Sequence, residues 1–305
     1  MTSVRYIAEH AIDKKKWDRC IEDATNSLIY AYSWYLDEQD IHWDALILND
    51  YEAVMPLTWN KKYGIYYLFQ PWFSASLGIF SRKKTTPELV VSFLKAIPAK
   101  FKYIDICLNH ENHYSCNEFP SKNRITYTLS LKPDYELLKQ GYRTQLQRNI
   151  QKAIKADLIV KEGIELSEIF PLAKEIFQRT SPISDKEFQC FIPLFEAVRK
   201  HQKLETWGIY NIRNELLASA VFFHAHNRWY YLLVGNHPNG KTLGASHYLL
   251  DRFIQRHAGS QDVLDFEGSD LRNIAYFYSS FGAKEEIYPA LHQNRLPLWI
   301  RWLKR

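Results

Sequence analysis

Three stretches of this sequence hold residue types that could do chemistry. In "VLDFEG", Asp265 and Glu267 stand two apart at the end of a short apolar run, a spacing that puts both on one face of a strand. A carboxylate held there can take a proton directly or through water. In "NHPNGKTLGASHY", glycines precede a helix-like run. A helix start presents unpaired N–H donors and partial positive charge, which suits any phosphate, although Asn239-Gly240 alone would also make an ordinary turn. In "CLNHENHYSC", Cys107, His110, His113 and Cys116 recur every third residue, and all four types ligate zinc. With no loop between pairs, the expected reading is a strand end and a polar turn, with no metal. A further stretch raises a question of placement: "DLRNIAYFYSSFGA" puts Tyr278 four residues before Gly282, which ends a helix-like segment.

The elements that must position these residues come in two runs of the same order. The first reads strand ("VRYIAE"), helix ("DKKKWDRCIEDA"), helix ("YAYSWYLDEQ"), three strands ("WDALILND", "YEAVMPLTW", "YGIYYLFQP"), a helix capped by Thr86, and the strand "YIDICLN". The second begins with one long helix running into a strand, "DYELLKQGYRTQLQRNIQKAIKADLIVKEG", followed by helices in "LSEIFPLAKEIFQRT" and "SDKEFQCFIPLFEAVRKH". Strands "ETWGIYN", "LLASAVFFHAH" and "RWYYLLVG", the helix "GASHYLLDRFIQRHA" and the strand "DVLDFEG" complete it. Interleaved strands and helices with hairpin-like runs predict an α/β fold with a mixed sheet in each half. The joint is expected at Lys132-Pro133-Asp134, giving domains 1–132 and 133–305.

The totals bound the function classes. The chain has 305 residues, 46% hydrophobic and 15% aromatic, enough for two folded domains. A formal charge of +5 is compatible with an anionic ligand and too small for a dedicated nucleic-acid binder. Four scattered cysteines do not make a disulfide scaffold. No apolar run approaches a membrane span and the N-terminus lacks a signal-peptide core, so a cytoplasmic protein is expected. Lys139, Arg143, Arg148, Lys152 and Lys155 share a segment without an intervening acid, while Leu138, Tyr142, Leu146, Ile150 and Ile154 form an apolar stripe. That is either a solvated face over a buried stripe or a contact for an anionic substrate such as tRNA. The terminal "LPLWIRWLKR" reads as a packing segment, with peripheral membrane contact as the alternative.

The element order resembles the GNAT acyltransferase fold, here twice. "NIAYFYSSFGA" resembles the GNAT signature at Asn273, Tyr278 and Gly282, with Ala283 where an aromatic is usual. The tandem halves, "YRTQLQRNIQKAIKADLIV" and "FYSSFG" are also similar to Fem-type proteins, which add amino acids from aminoacyl-tRNA to peptidoglycan precursors. Those enzymes carry F-K-x-x-F-G there, and this chain has Tyr278 in place of the lysine.

The resemblance implies an N-acyltransferase that moves an acyl group from acetyl-CoA or another acyl-CoA to a small-molecule or peptide-like amine. Tyr278 would protonate the departing thiolate, since a phenol stays protonated at neutral pH; a plain aromatic packed on the sheet is the competing reading. The loop, with Gly240, Lys241, Thr242, Gly244, Ala245 and Ser246, would hold the coenzyme's pyrophosphate, with Asn273 on the donor side. Glu267 is the first candidate for the base, and His224, His226 and His247 are alternatives. The first half, which lacks a matching loop around Gly78, would be the acceptor-side scaffold. Fem-like transfer from aminoacyl-tRNA and a catalytically silent binding module are the alternative functions.

Overall fold

The computed structural model describes residues 3–180, 183–268 and 271–297. The chain divides into two compact units. Unit 1 holds the chain up to Arg124, Cys190–Ala197 and the chain from Ile287; unit 2 holds Ile125–Gln189 and Val198–Glu286.

In unit 1 the elements are β1 (Val4–Ile7), α1 (Lys14–Glu22), α2 (Ser33–Asp37), β2 (His42–Leu48), β3 (Ala53–Lys62), β4 (Ile65–Phe69), β5 (Phe80–Ser81), α3 (Pro87–Ala96) and β6 (Phe101–Cys107). Asp13 caps α1 by accepting from the Lys15 and Lys16 N–H groups, and Trp17, Cys20 and Ile21, three and four apart, turn its apolar face inward. Thr86 caps α3 by accepting from Leu89 N at 3.3 Å, as its Thr-Pro start predicts. In the Cys107–Cys116 segment the structural work falls to asparagines. Asn112, fully buried, accepts from Ile79 N and donates to Ile79 O, supplying the partners a neighbouring strand would otherwise give. Asn109 donates to Asn26 O at 2.7 Å. Among the described residues, no three His, Cys, Asp or Glu side chains gather as a metal set.

In unit 2 the sequence expectation of one long helix gives way to two. After β7 (Ser121–Ser130), α4 (Tyr135–Gln140) and α5 (Thr144–Lys155) are separated at Gly141–Arg143. The break lets the 141–143 backbone reach the end of a later helix: Arg143 N donates to Ser280 O at 2.9 Å, and a Cβ at Gly282 (φ 81°) would sit 3.4 Å from Gly141 O. The buried stripe restarts with the new helix. It runs Leu146, Ile150, Ala153, leaving Ile154 exposed.

Then come β8 (Ile159–Glu162), α6 (Leu166–Thr180), α7 (Asp185–Gln189), α8 (Phe191–His201), β9 (Lys203–Tyr210), β10 (Leu216–Ala225), β11 (Arg228–Asn236), α9 (Pro238–Leu243), α10 (Ala245–His257), β12 (Val263–Asp265), α11 (Arg272–Ser279) and β13 (Lys284–Asn294). The strands β7 and β13 escaped the sequence reading. Their runs of polar and charged residues, "SKNR" and "KEE", hide the apolar alternation.

Strand order repeats between the units. In unit 1, β1, β2, β3 and β4 are successively antiparallel, β4 pairs parallel with β6, and β6 pairs antiparallel with β13. In unit 2, β8, β9, β10 and β11 are successively antiparallel, β11 pairs parallel with β12, and β12 pairs antiparallel with β7. The final strand of each pattern is therefore exchanged: β7, which follows β6 in sequence, completes unit 2, and β13, which follows β12, completes unit 1. Lys132-Pro133 lies just past β7, within unit 2.

The core of unit 2 centres on Phe253 of α10, stacked on Phe222 at 3.7 Å and edge-on to Trp207 and Trp229. At one end of its sheet a single guanidinium holds four segments. Arg228, its side chain 13% exposed, donates to Asp265 at 2.6 Å and, as a fork, to both oxygens of Glu286 at 3.0 and 3.2 Å. Asp265 also accepts from Thr126 Oγ1 at 2.7 Å, and Thr126 Oγ1 accepts from Gly268 N. Removing the guanidinium would leave two carboxylates without their cation. Arg228→Met is expected to cost about 3–5 kcal/mol in urea denaturation, whereas Arg82→Met, which removes only an exposed pair with Asp23, should cost under about 1 kcal/mol.

Candidate active site

Beyond Asp265 the chain leaves the sheet through two residues of left-handed backbone, Glu267 (φ 61°) and Gly268 (φ 62°). Strand alternation therefore ends before Glu267. Its N–H turns back to Asp265 Oδ1 at 2.9 Å, and its half-buried side chain is set by the turn instead of the pleat. A glutamate in this conformation is uncommon, and such backbone collects at functional sites. Asp265 has both oxygens committed to Arg228, Thr126 and the turn, which makes it a positioning group.

Tyr278, in the last turn of α11, returns to the same place. Its ring stacks on Phe266 at 4.8 Å and meets Tyr231 edge-on at 6.3 Å and Tyr127 at 6.4 Å. Tyr231 reaches the site because β11 carries a bulge: Val221 pairs with Leu233 while Phe222 pairs with Tyr231, leaving Leu232 as the extra residue. The Tyr278 hydroxyl makes no hydrogen bond among the described residues. Burial, then the negative charges of Glu267 and Asp265, push its pKa above the usual phenol range. The group is a neutral O–H at any physiological pH, able to donate. Tyr127 is already engaged, donating to Glu285 at 2.9 Å. A packing reading and a proton-donor reading of Tyr278 are therefore compatible: its ring is held by Phe266 and Tyr231, and its hydroxyl makes no hydrogen bond among the described residues.

The glycine-containing stretch is more helical than its sequence suggests. His237 accepts from Asn239 N, Pro238 opens α9, and Gly240, Lys241, Thr242 and Leu243 lie within that helix. Gly240 is glycine because a Cβ would run into the Leu217 carbonyl, and Gly244 (φ 75°) because a Cβ would run into the Asn149 carbonyl of α5. Backbone donors of Lys241 and Gly244 are used within the turn, through His237 O and Lys241 O. Ala245 and Ser246 are buried at the start of α10, and the Ser246 hydroxyl is without a hydrogen-bond partner among the described residues. Asn273 is exposed in the first turn of α11.

Of the histidines, His224 is tied to Asp262 at 3.1 Å with its ring tilted against Trp229 at 4.4 Å, and His226 sits in a left-handed turn (φ 53°). His247 is closest to the site's framework: its Nε2 lies 3.1 Å from Asn149 Nδ2 and its ring meets Phe277, the neighbour of Tyr278, edge-on at 4.9 Å. Burial pushes its pKa down to about 4.

The cationic segment covers this region. Arg143, Arg148, Lys152 and Lys155 of the α5 region and Lys139 of α4 are all exposed, and none forms an ion pair among the described residues. Arg143 lies over the exposed Tyr276 ring of α11 at 4.6 Å, so this face continues to the helix that carries Tyr278. Sequence reasoning singled out Tyr278, Glu267 and the basic residues. It missed Arg228 and Tyr231, for which the aromatic run "RWYYLL" was the available signal, and also Tyr127 and Phe266.

No protein-family model matches the sequence, and no curated protein matches it. Solved structures do match in fold. FemX aligns with a TM-score of 0.67 at 11% identity, covering 98% of this chain and 99% of that one. The DUF2156 C-terminal domain of a candidate lysylphosphatidylglycerol synthetase from Agrobacterium fabrum aligns with a TM-score of 0.57 at 12% identity, covering 90% and 92%. L-PGS from Bacillus licheniformis aligns with a TM-score of 0.54 at 10% identity, covering 95% of each. The chain shares the fold of FemX, as the Fem-type resemblance of its sequence implies.

His247 gives this site a pH signature. Its folded pKa, near 4, lies below the ordinary 6.5, so between these values the unfolded chain binds more protons than the folded one. Stability from this group is complete above about pH 6.5 and is lost as pH falls toward 4, on the order of 2–3 kcal/mol in all. Unfolding curves across this range should show the wild-type chain losing more stability than His247→Gln; parallel losses would contradict the assignment.

Proposed function

We propose that unit 2 is the catalytic unit of an acyl-group transferase whose donor is an aminoacyl ester carried on tRNA and whose acceptor is an amine. One observation carries the choice of donor: the exposed cations from Lys139 to Lys155 have no acidic partners among the described residues, and their helix packs against the α9–α10 turn whose Lys241 and Gly244 N–H groups are already used. A polyanion suits such a face better than one compact pyrophosphate suits that turn. The name of the Agrobacterium protein describes joining lysine to phosphatidylglycerol, which lends support to an aminoacyl group as the one transferred.

In this reading the amine nitrogen attacks the ester carbonyl, a C–N bond forms, and the ester C–O bond breaks. The amine's proton passes to Glu267, directly or through water, and the leaving ribose oxygen takes a proton from Tyr278. Phe266 and Tyr231 hold the Tyr278 ring while its hydroxyl faces the reacting atoms. An acyl-CoA donor is the second reading, favoured by a tyrosine at the GNAT position and by the unpartnered Ser246 hydroxyl at the start of α10. The same Tyr278 would then protonate a thiolate.

The donor is tested by filter binding of bulk tRNA across a salt series together with melting in the presence of acetyl-CoA and longer acyl-CoAs. With five cations on the face, the logarithm of tRNA affinity should fall with the logarithm of salt at a slope of roughly −3 to −5, and Arg148→Gln with Lys152→Gln should make that slope shallower by roughly 2. A raised melting temperature with acyl-CoA and a flat tRNA salt response would move the assignment to the second reading.

A further inference from the structure

The β3–β4 hairpin of unit 1 ends in the sequence Lys61-Lys62-Tyr63-Gly64. Lys62 pairs with Ile65, so Tyr63 and Gly64 form a two-residue loop, and both have positive φ, 52° and 80°. This turn favours asparagine or aspartate before glycine, and a bulky aromatic at the first position is disfavoured by its backbone. The tyrosine gains no packing in return. It is 92% exposed, and its ring contact is with the Lys62 ammonium, 5.5 Å away. Lys61, Lys62 and Gly64 are exposed as well, and the space around Gly64 is empty. The tip is a protruding aromatic with two cations at its base.

The sheet puts further cations at the same end. β4 and β6 are parallel from Tyr66 and Phe101, so Lys100 and Lys102 stand beside the base of the hairpin. Lys100 pairs with Asp44 at 3.5 Å, and Lys102 is exposed without an ion pair among the described residues. β13 ends beside Lys102, where Arg295 N donates to Lys102 O at 2.8 Å.

We propose that the Tyr63 hairpin tip, with Lys61, Lys62 and Lys102, docks unit 1 on an anionic lipid surface. A convex tip suits a planar surface, where a tyrosine seats at headgroup depth and lysines behind it meet lipid phosphates. A nucleic-acid stacking site would instead set its aromatic in a cationic groove. This inference is independent of the chemistry assigned to unit 2.

The test is co-sedimentation of the full chain with phosphatidylcholine vesicles with and without phosphatidylglycerol. Binding is expected only with phosphatidylglycerol and should weaken with salt. Lys61→Gln with Lys62→Gln should lower partitioning roughly twenty-five-fold, from about five-fold per lysine. Tyr63→Asn should also lower it several-fold while leaving the melting temperature equal or higher, because asparagine fits the turn better. That combination separates a lost contact from a damaged fold. Equal binding to both vesicle types, or hairpin variants that bind like the wild type, would overturn the proposal, as would lysine variants that lose tRNA binding and keep vesicle binding.

Discussion

The arrangement of unit 2 depends on the buried charge cluster at Arg228. One guanidinium neutralises Asp265 on β12 and Glu286 on β13, while Thr126 on β7 ties the same aspartate to the turn that follows. Isolated charges at this depth would be costly, and here each carboxylate is matched by a short, charge-assisted hydrogen bond. The cluster fixes where β12 stops. Two candidate site residues follow it along the chain: the left-handed Glu267, two residues on, and Tyr278 in α11.

Above that anchor, aromatic packing and backbone contact divide the remaining work. Phe266 and Tyr231 fix the Tyr278 ring, and the β11 bulge brings Tyr231 to it. The α4–α5 break, closed against the backbone near Gly282, draws Arg143 and the cationic helix to the same region. The result is a Tyr278 hydroxyl kept protonated by burial and by the charges of Glu267 and Asp265, on a helix whose Tyr276 lies under Arg143. Strand exchange between the units adds a second constraint, because β7 and β13 each complete the sheet on which the other half of the sequence is built.

Much of this was legible in the sequence because local patterns and tertiary structure agree there. Thr86 announced a helix start, the strand and helix runs gave most of the element order along each half, and "NIAYFYSSFGA" singled out Tyr278. What stayed hidden depends on distant partners. The α4–α5 break closes against Gly282, 141 residues from Gly141. Gly240 and Gly244 suggested a phosphate loop, but their lack of a side chain answers to the Leu217 and Asn149 carbonyls. The polar stretches of β7 and β13 conceal their pairing, and nothing local to Arg228 points to Asp265 and Glu286, 37 and 58 residues away.

The account stands on the Tyr278 hydroxyl as the proton donor to the leaving group, and a single-turnover comparison tests it most directly. With aminoacyl-tRNA or acyl-CoA as donor and an amine acceptor, Tyr278→Phe keeps the ring stacked on Phe266 and removes only the O–H. The rate of transfer should fall by at least about a hundred-fold, with donor affinity and melting temperature nearly unchanged. A wild-type transfer rate in Tyr278→Phe would contradict the account, and would leave this tyrosine as an aromatic that packs α11 against the sheet.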